Sequence, residues 1–119
     1  MTEIGCPLPA PRSDWALFLD IDGTLLELAP TPTEVVVPPD LPELLGNLQH
    51  ALGGAVALIS GRSLADIDAL FPSLVLTAAG QHGAEIRLAG GATERLGPAD
   101  GVLASLMGRV TAFAAARPA

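Results

Sequence analysis

The fold is decided by the stretch Trp15-Ala-Leu-Phe-Leu-Asp20-Ile-Asp22-Gly23-Thr24, where an apolar run ends in two carboxylates on alternate positions. The apolar part is typical of a short, buried strand of a parallel sheet. Gly23 permits a positive φ, so we expect the chain to enter a loop there. Ligands of open α/β sheets bind at the carboxyl ends of the strands, where these two acids are placed. Because crowded carboxylates beside an apolar core are costly, the pattern indicates a cation or a chemical role.

The composition bounds the class of protein. A chain of 119 residues, 50% hydrophobic and 16% charged, is long enough for one small domain and is not typical of disorder. The net charge of −7 argues against nucleic acid or an anionic membrane as a partner. No apolar run approaches the roughly 18 residues of a membrane span, and the N-terminus lacks the basic region of a signal peptide. Since the lone Cys6 fits a reducing compartment, we expect a cytoplasmic protein.

Proline punctuates the first third of the chain. Residues 1–13 are rich in proline without periodicity, which predicts a mobile leader. A strand is predicted over residues 15–19, and residues 23–40 form a long loop of the kind that is usually functional after a strand end. Residues 34–37 have strand character, which suggests a small hairpin within that loop.

Leucine periodicity predicts the first helix. Asp40 is placed to cap it, Pro42 suits its first turn, and Gly53-Gly54 ends it. One apolar face results from the spacing of the leucines. They are Leu41, Leu44, Leu45, Leu48 and Leu52.

The remaining elements alternate between strand and helix. A second strand is predicted over 55–59, then a helix capped by Ser63 and stopped by Pro72, with an apolar inner face. That face comprises Leu64, Ile67, Leu70 and Phe71. A third strand is predicted over 74–77, a hairpin over 84–96 turning at Gly90-Gly91, and a last helix over about 100–116 with its own apolar face. Those apolar residues are Val102, Leu103, Leu106, Val110 and Phe113.

This alternation predicts the fold class α/β, with a parallel, Rossmann-like sheet and helical crossovers. Three parallel strands are few for this architecture. The pattern therefore predicts an incomplete core.

The segment Asp20-Ile-Asp22-Gly-Thr24 after a strand resembles the first signature motif of the haloacid dehalogenase superfamily, in the form carried by its phosphatases. The resemblance implies that Asp20 is the nucleophile that forms an aspartyl-phosphate, and that Asp22 is the general acid and then the base. It further implies Mg²⁺ as cofactor, held by the Asp20 carboxylate and the Asp22 backbone carbonyl. Gly23 and Thr24 would contact the phosphoryl group.

Two further segments extend the resemblance. Ser60-Gly61-Arg62 is similar to the second motif of the superfamily, in which the serine hydrogen-bonds the phosphoryl group, and Arg62 either binds substrate or forms a surface ion pair. Gly-Gln-His82-Gly83-Ala-Glu, together with the first two motifs, resembles the trehalose 6-phosphate phosphatases. That family implies a sugar-phosphate substrate, trehalose 6-phosphate, with His82 and Gly83 near the sugar pocket. Glu85 and Arg87 are interpreted as a cross-strand or surface pair.

The resemblance covers residues 14–118 and breaks at three points. The family requires a lysine that screens the nucleophile, but the six basic residues here are all arginine. It also requires a downstream acidic cluster, which no group of acidic residues in this chain replaces convincingly. The cap domain that follows the His-Gly segment in the family is also absent. Residues 14–119 are therefore predicted to be the N-terminal part of a phosphatase core, ending near the start of a cap and needing a C-terminal half to complete its site.

The predicted function is Mg²⁺-dependent hydrolysis of trehalose 6-phosphate, with weak or no activity in this chain alone. Two alternatives stay open. One is a phosphatase of the same superfamily acting on another sugar phosphate. The other is a non-catalytic, phosphatase-like remnant, against which the intact Asp20, Asp22, Thr24 and Ser60 argue.

Overall fold

A computed structural model describes residues 5–97 and 100–117 of the chain. Its elements alternate in the predicted manner up to the third strand, after which a hairpin and a helix follow. In chain order they are β1 (Leu17–Asp20), α1 (Leu41–Ala51), β2 (Val56–Ile59), α2 (Leu64–Leu70), β3 (Thr77–Gly80), β4 (Glu85–Arg87), β5 (Thr93–Arg95) and α3 (Asp100–Ala115).

The five strands form one sheet in the order β1-β2-β3-β4-β5. The first three are parallel, and the hairpin of β4 and β5 adds two antiparallel strands. Asp20 at the end of β1 is in register with Ile59 at the end of β2. The carboxyl ends of these parallel strands therefore meet at one edge, with β1 as an outer strand of the sheet.

Both α1 and α2 pack on one face of the sheet. The core joins Leu45 of α1 and Ile67 of α2 to Leu58 of β2, and each of these residues is almost wholly buried. Residues of the opposite face are accessible, since Phe18 is 72% and Ile59 40% exposed. Alternation along a strand sends successive side chains to opposite faces. The two helices cover the face that carries Leu58 and leave the face that carries Phe18 and Ile59 accessible.

The predicted third strand was misplaced by three residues. Leu74 and Leu76 pack into the core from the segment before β3, while Thr77 is the first residue paired with β2. The Leu76 carbonyl instead accepts a hydrogen bond from the Arg87 side chain. The apolar run therefore leads into the sheet, and the smaller residues after it make the strand.

Two predicted local features differ in the structure. Asp40 precedes α1 but makes no side-chain capping bond, because its backbone is already helical (φ −86°, ψ −16°), whereas an N-cap residue is usually extended. Residues 34–37 form no strand; an isolated bridge pairs Asp22 with Leu26 at the start of the loop instead. The predicted cap of α2 is confirmed, because the Ser63 side chain accepts from the Asp66 N–H.

The last helix forms as predicted, but its apolar residues lie exposed. Leu106 is 47% and Phe113 60% accessible, and the other described side chains of α3 are exposed as well. Within the described part of the chain, no helix combines the length and apolarity that crossing a bilayer requires.

Candidate active site

Ile21 anchors the loop that carries the two aspartates. Its side chain is fully buried, and its carbonyl accepts N–H bonds from Thr24, Leu25 and Leu26 at 3.2, 2.9 and 3.0 Å. Gly23 completes the turn at φ +79°, a conformation in which glycine is favoured. Because the residue between the acids is held in the core, both aspartates are fixed at the end of β1.

Asp20 is the more open of the two carboxylates. It is exposed, and the Thr24 hydroxyl donates to its Oδ2 at 3.1 Å. Among residues 5–97 and 100–117, no side chain is hydrogen-bonded to its Oδ1. The geometry therefore leaves Asp20 oriented by one hydrogen bond and accessible to a reactant.

Asp22 is held by Arg62 from the turn after β2. The guanidinium donates from Nε to Oδ2 at 2.8 Å and from Nη2 to Oδ1 at 2.7 Å. Its Nη1 donates to the Pro32 carbonyl at 3.0 Å, which ties the long loop to the same side chain. The hydrogen bonds from Arg62 hold the pKa of Asp22 below its ordinary value, against a smaller effect of burial. This geometry therefore favours the ionised form of Asp22.

Ser60 lies in the turn between β2 and α2. It is buried, its N–H donates to the Ala79 carbonyl at 2.9 Å, and its Oγ accepts from the Arg62 N–H at 3.0 Å. The side chain thus shapes the turn that presents Arg62. Its position after Ile59, the register partner of Asp20, places it beside the end of β1.

The imidazole of His82, from the third motif, contacts Gly61 of the Ser60-Gly61-Arg62 motif. A Cβ on Gly61 would come within 2.7 Å of the His82 ring, so that ring lies directly over the glycine. The His82 N–H donates to the Ser60 carbonyl at 3.2 Å. His82 has φ +56° and Gly83 has φ +93°, so both residues are left-handed, a conformation uncommon for histidine. The structure therefore brings Ser60, Gly61 and His82 together.

An open cleft of about 820 Å³ lies between these segments and the long loop. Four predicted site residues line it, and eight further residues complete it. The predicted ones are Asp22, Gly61, Arg62 and His82; the others are Leu28, Ala29, Thr31, Pro32, Val35, Ser63, Asp66 and Gln81.

Other predicted residues lie outside that lining. Asp20 and Thr24 stand at the end of β1, Ser60 is turned inward, and Gly23 and Gly83 contribute backbone conformation. Sequence reasoning missed Gln81 and Pro32. The glycines that flank the Gln-His pair were the available signal for a tight corner, whereas nothing in the sequence pointed to the Pro32 carbonyl.

The donor set accommodates part of a Mg²⁺ site. Asp20 has an oxygen not engaged by Thr24, and the loop's backbone hydrogen bonds leave the Asp22 carbonyl unused. Over residues 5–97 and 100–117, no three His, Cys, Asp or Glu side chains cluster as metal ligands. Mg²⁺ sites commonly combine one or two carboxylates with waters and substrate phosphates, so these two oxygens fit two of the six positions.

Glu85 and Arg87 do not pair with each other, contrary to the interpretation of the sequence. Successive odd positions of β4 share a face, and both side chains are buried under α2. Glu85 accepts from the Leu64 N–H, and Arg87 forms a two-bond pair with Asp68.

Comparison with known proteins identifies relatives of this arrangement. The family model described as trehalose-phosphatase matches residues 18–104. A probable trehalose-phosphate phosphatase of Sinorhizobium fredii is 55% identical over 80 residues, which are 67% of this chain and 30% of that protein. The trehalose-6-phosphate phosphatase of Escherichia coli is 45% identical over 93 residues, which are 78% of this chain and 35% of that protein. The chain thus spans about a third of the length of these relatives.

Solved structures show the same fold at lower identity. A trehalose-6-phosphate phosphatase related protein superposes with a TM-score of 0.63 at 24% identity, covering 87% of this chain and 45% of that one. A haloacid dehalogenase-like hydrolase from B. subtilis gives 0.57 at 21% identity, covering 77% and 31%. These likenesses concern the fold alone, an α/β core like that of the two solved proteins.

Proposed function

The chain belongs to the trehalose-phosphatase family, and on that premise we propose that it supplies the nucleophile half of a site that hydrolyses trehalose 6-phosphate. The observation that carries the proposal is the placement of Asp20. It is an exposed carboxylate, oriented by Thr24 at the end of β1, beside the turn that presents Arg62 and against which the His82 ring lies.

Asp20 acts as the nucleophile in the proposed reaction. One of its oxygens attacks phosphorus, the bond from phosphorus to the sugar oxygen breaks, and an aspartyl-phosphate forms. Water then attacks the phosphorus of that intermediate, which releases inorganic phosphate and restores the carboxylate.

Asp22 moves the protons in both steps. It gives a proton to the departing sugar oxygen and later accepts one from the attacking water. The Arg62 pair supports the second role as it stands, because it keeps Asp22 ionised. For the first role the pair must open, so we propose that substrate binding draws Arg62 away from Asp22.

Phosphate binding draws on the two turns around the cleft. Gly23 and Thr24 offer backbone and hydroxyl contacts at the end of β1, and Ser60 and Gly61 do so at the end of β2. His82 and Gly83 border the region proposed for the sugar. Arg62 carries the nearest positive charge, although its three donor nitrogens are engaged in the present geometry.

Mg²⁺ is the proposed cofactor, bound by Asp20 and the Asp22 carbonyl, and it would neutralise the repulsion between carboxylate and phosphate when bound. The chain's own charge of −7 makes such neutralisation important for an anionic substrate. No lysine is available in this chain to screen Asp20. We therefore propose that the chain alone turns over slowly, since phosphoryl transfer depends on positioning and on charge.

The test is phosphate release from trehalose 6-phosphate with Mg²⁺, by the chain alone and by a chimera. In the chimera, this chain replaces the matching segment of the E. coli relative. We expect strong release by the chimera and little by the chain alone. A folded chimera that ignores trehalose 6-phosphate but hydrolyses another sugar phosphate would correct the substrate. A folded chimera inactive on a panel of sugar phosphates would contradict the proposal.

A further inference from the structure

Glu85 is a buried carboxylate that the proposed reaction does not use. It accepts hydrogen bonds from three separate elements. They are the Leu64 N–H at the start of α2 at 2.9 Å, the Gln81 side chain at 3.3 Å and the Arg95 guanidinium of β5 at 2.9 Å. A carboxylate with this much burial stays paired, because an unpaired one would be costly.

Two of these partners adjoin cleft residues. Leu64 lies two positions after Arg62, and Gln81 directly precedes His82. The Gln81 N–H also donates to the Arg62 carbonyl at 2.8 Å. Glu85 therefore links the turn that carries Arg62 to the corner that carries His82.

The two segments also touch at a glycine. A Cβ on Gly80 would lie 2.7 Å from the Arg62 carbonyl oxygen and 3.0 Å from the Leu64 nitrogen. Their separation is thus set by backbone contact on one side and by the Glu85 carboxylate on the other. A small displacement of either segment would move the His82 ring away from Gly61.

The turn Gln81–Gly83, which carries His82, has a strained backbone that neighbouring contacts must hold in place. Gln81 and His82 have φ of +48° and +56°, and side chains other than glycine adopt such angles only when their surroundings hold them there. The Gln81 side chain is held by Glu85, which supplies one such constraint.

We propose that Glu85 is a positioning residue, which fixes His82 against Gly61 and Arg62 by holding Leu64 and Gln81 on one carboxylate. It acts through these residues and touches no reactant. The proposal rests on the proposed function for its effect on phosphate binding. Its geometric part concerns the free protein.

A matched control lies in the same layer. Asp68 of α2 and Arg87 of β4 join the same two elements through two hydrogen bonds, at 3.0 and 2.8 Å, without touching the cleft turns. Asp68→Asn and Glu85→Gln make the same chemical change. A merely structural role for Glu85 predicts similar consequences for the two variants.

The experiment follows the NMR signals of the His82 ring and the Arg62 Nε–H in the 119-residue chain. Glu85→Gln places an amide N–H₂ where a donor already points, so we expect both signals to shift. Gln81→Asn is the second variant, because asparagine tolerates a positive φ but is one methylene too short to reach Glu85. We expect it to shift the His82 signals in the same direction, and we expect Asp68→Asn to leave both signals in place.

Inorganic phosphate is the probe for the functional part. Loss of a charge-assisted hydrogen bond predicts about tenfold weaker phosphate binding in Glu85→Gln and in Gln81→Asn. Binding by Asp68→Asn should equal that of the unaltered chain. If the unaltered chain binds no phosphate, the proposed phosphate site is wrong. The NMR signals then still test whether Glu85 positions His82 and Arg62.

Unmoved His82 and Arg62 signals in Glu85→Gln would overturn the proposal. Equal shifts in Asp68→Asn would do so too, because they would show a general loosening of α2. If Glu85→Gln does not fold, Gln81→Asn decides alone: shifted His82 signals support the proposal and unchanged ones reject it.

Discussion

Two arginine–aspartate pairs in this molecule have nearly the same hydrogen-bond lengths and different surroundings. Arg62 meets Asp22 at 2.8 and 2.7 Å, and Arg87 meets Asp68 at 3.0 and 2.8 Å. Each arginine side chain is 11% exposed. Each also donates to a backbone carbonyl, that of Pro32 or of Leu76.

The difference lies in what stands beside each pair. The cleft pair, Asp22–Arg62, adjoins Asp20, the open cleft and the His82 corner. The helix–hairpin pair, Asp68–Arg87, joins α2 to β4 above the core. Ion-pair geometry alone therefore does not mark a functional site, since the same two-bond contact serves both for structure and for orienting a candidate catalytic acid.

The largest expected effect on activity comes from replacing Asp20, the carboxylate beside the cleft pair. Asp20→Asn in the chimera with the E. coli relative should lower phosphate release about a thousandfold or more, since a nucleophile that forms the intermediate has no substitute. Trapping of phosphoenzyme at acid pH should fail as well. The Thr24→Val chimera, which keeps the carboxylate but loses its oriented hydrogen bond, should retain trappable phosphoenzyme. A normal rate in Asp20→Asn would refute the nucleophile assignment.

Breaking each pair at its arginine should separate function from stability. Arg62→Ala in the chimera should lower kcat/KM about a hundredfold, because the cleft loses the positive charge proposed to move from Asp22 to the substrate phosphate. Arg87→Ala should leave kcat/KM within about threefold, but should lower the free energy of unfolding by about 2 kcal/mol, as it leaves the Leu76 carbonyl unpaired beside the core. The two measurements are steady-state kinetics and urea unfolding.

Either pair could break this separation. A large loss of activity in Arg87→Ala at a temperature where the variant is folded would show that the helix–hairpin pair also positions the cleft. An unchanged kcat/KM in Arg62→Ala would show that the substrate phosphate needs no charge from Arg62. In that case the cleft pair would be structural like the other.

Local patterns in the sequence predicted the elements that position the site. The apolar run into Asp20, the leucine helix α1 and the Ser63 cap depend on neighbours a few residues apart, and all three were found. Leu44 of the predicted apolar face is nevertheless 54% exposed. The strand β3 was misplaced because Ala78 and Gly80 have low strand propensity, whereas the leucines before them read as a strand.

The partners of charged side chains could not be predicted in the same way. Arg62 and Asp22 are 40 residues apart, and Arg87 and Asp68 are 19 apart, so each pairing depends on how the strands stack. The sequence offered Glu85 as a partner for Arg87 two residues away. Alternation along β4 put both on the same covered face, where each found a different partner.

The smallest expected effect sharpens the comparison through pH. Arg62 lowers the pKa of Asp22 in the folded protein, so the pair stabilises the fold at pH values above the unfolded pKa of aspartate, about 3.9. That stabilisation is lost as the pH falls through the lower, folded value. Since the Asp22 side chain is 33% exposed, solvent screening should keep the contribution of the pair to the free energy of unfolding below about 1 kcal/mol.

Urea unfolding of the chain and of Asp22→Asn between pH 7 and pH 3 measures this contribution. The unaltered chain should be the more stable at pH 7, and the gap should narrow as the solution is acidified, because protonated Asp22 no longer attracts Arg62. Repeating the pair of measurements in an Arg62→Ala background isolates the cause. In the Arg62→Ala background, the difference in unfolding free energy between the Asp22 and Asp22→Asn forms should vary less with pH. Equal variation in both backgrounds would assign the pH dependence to another titrating group.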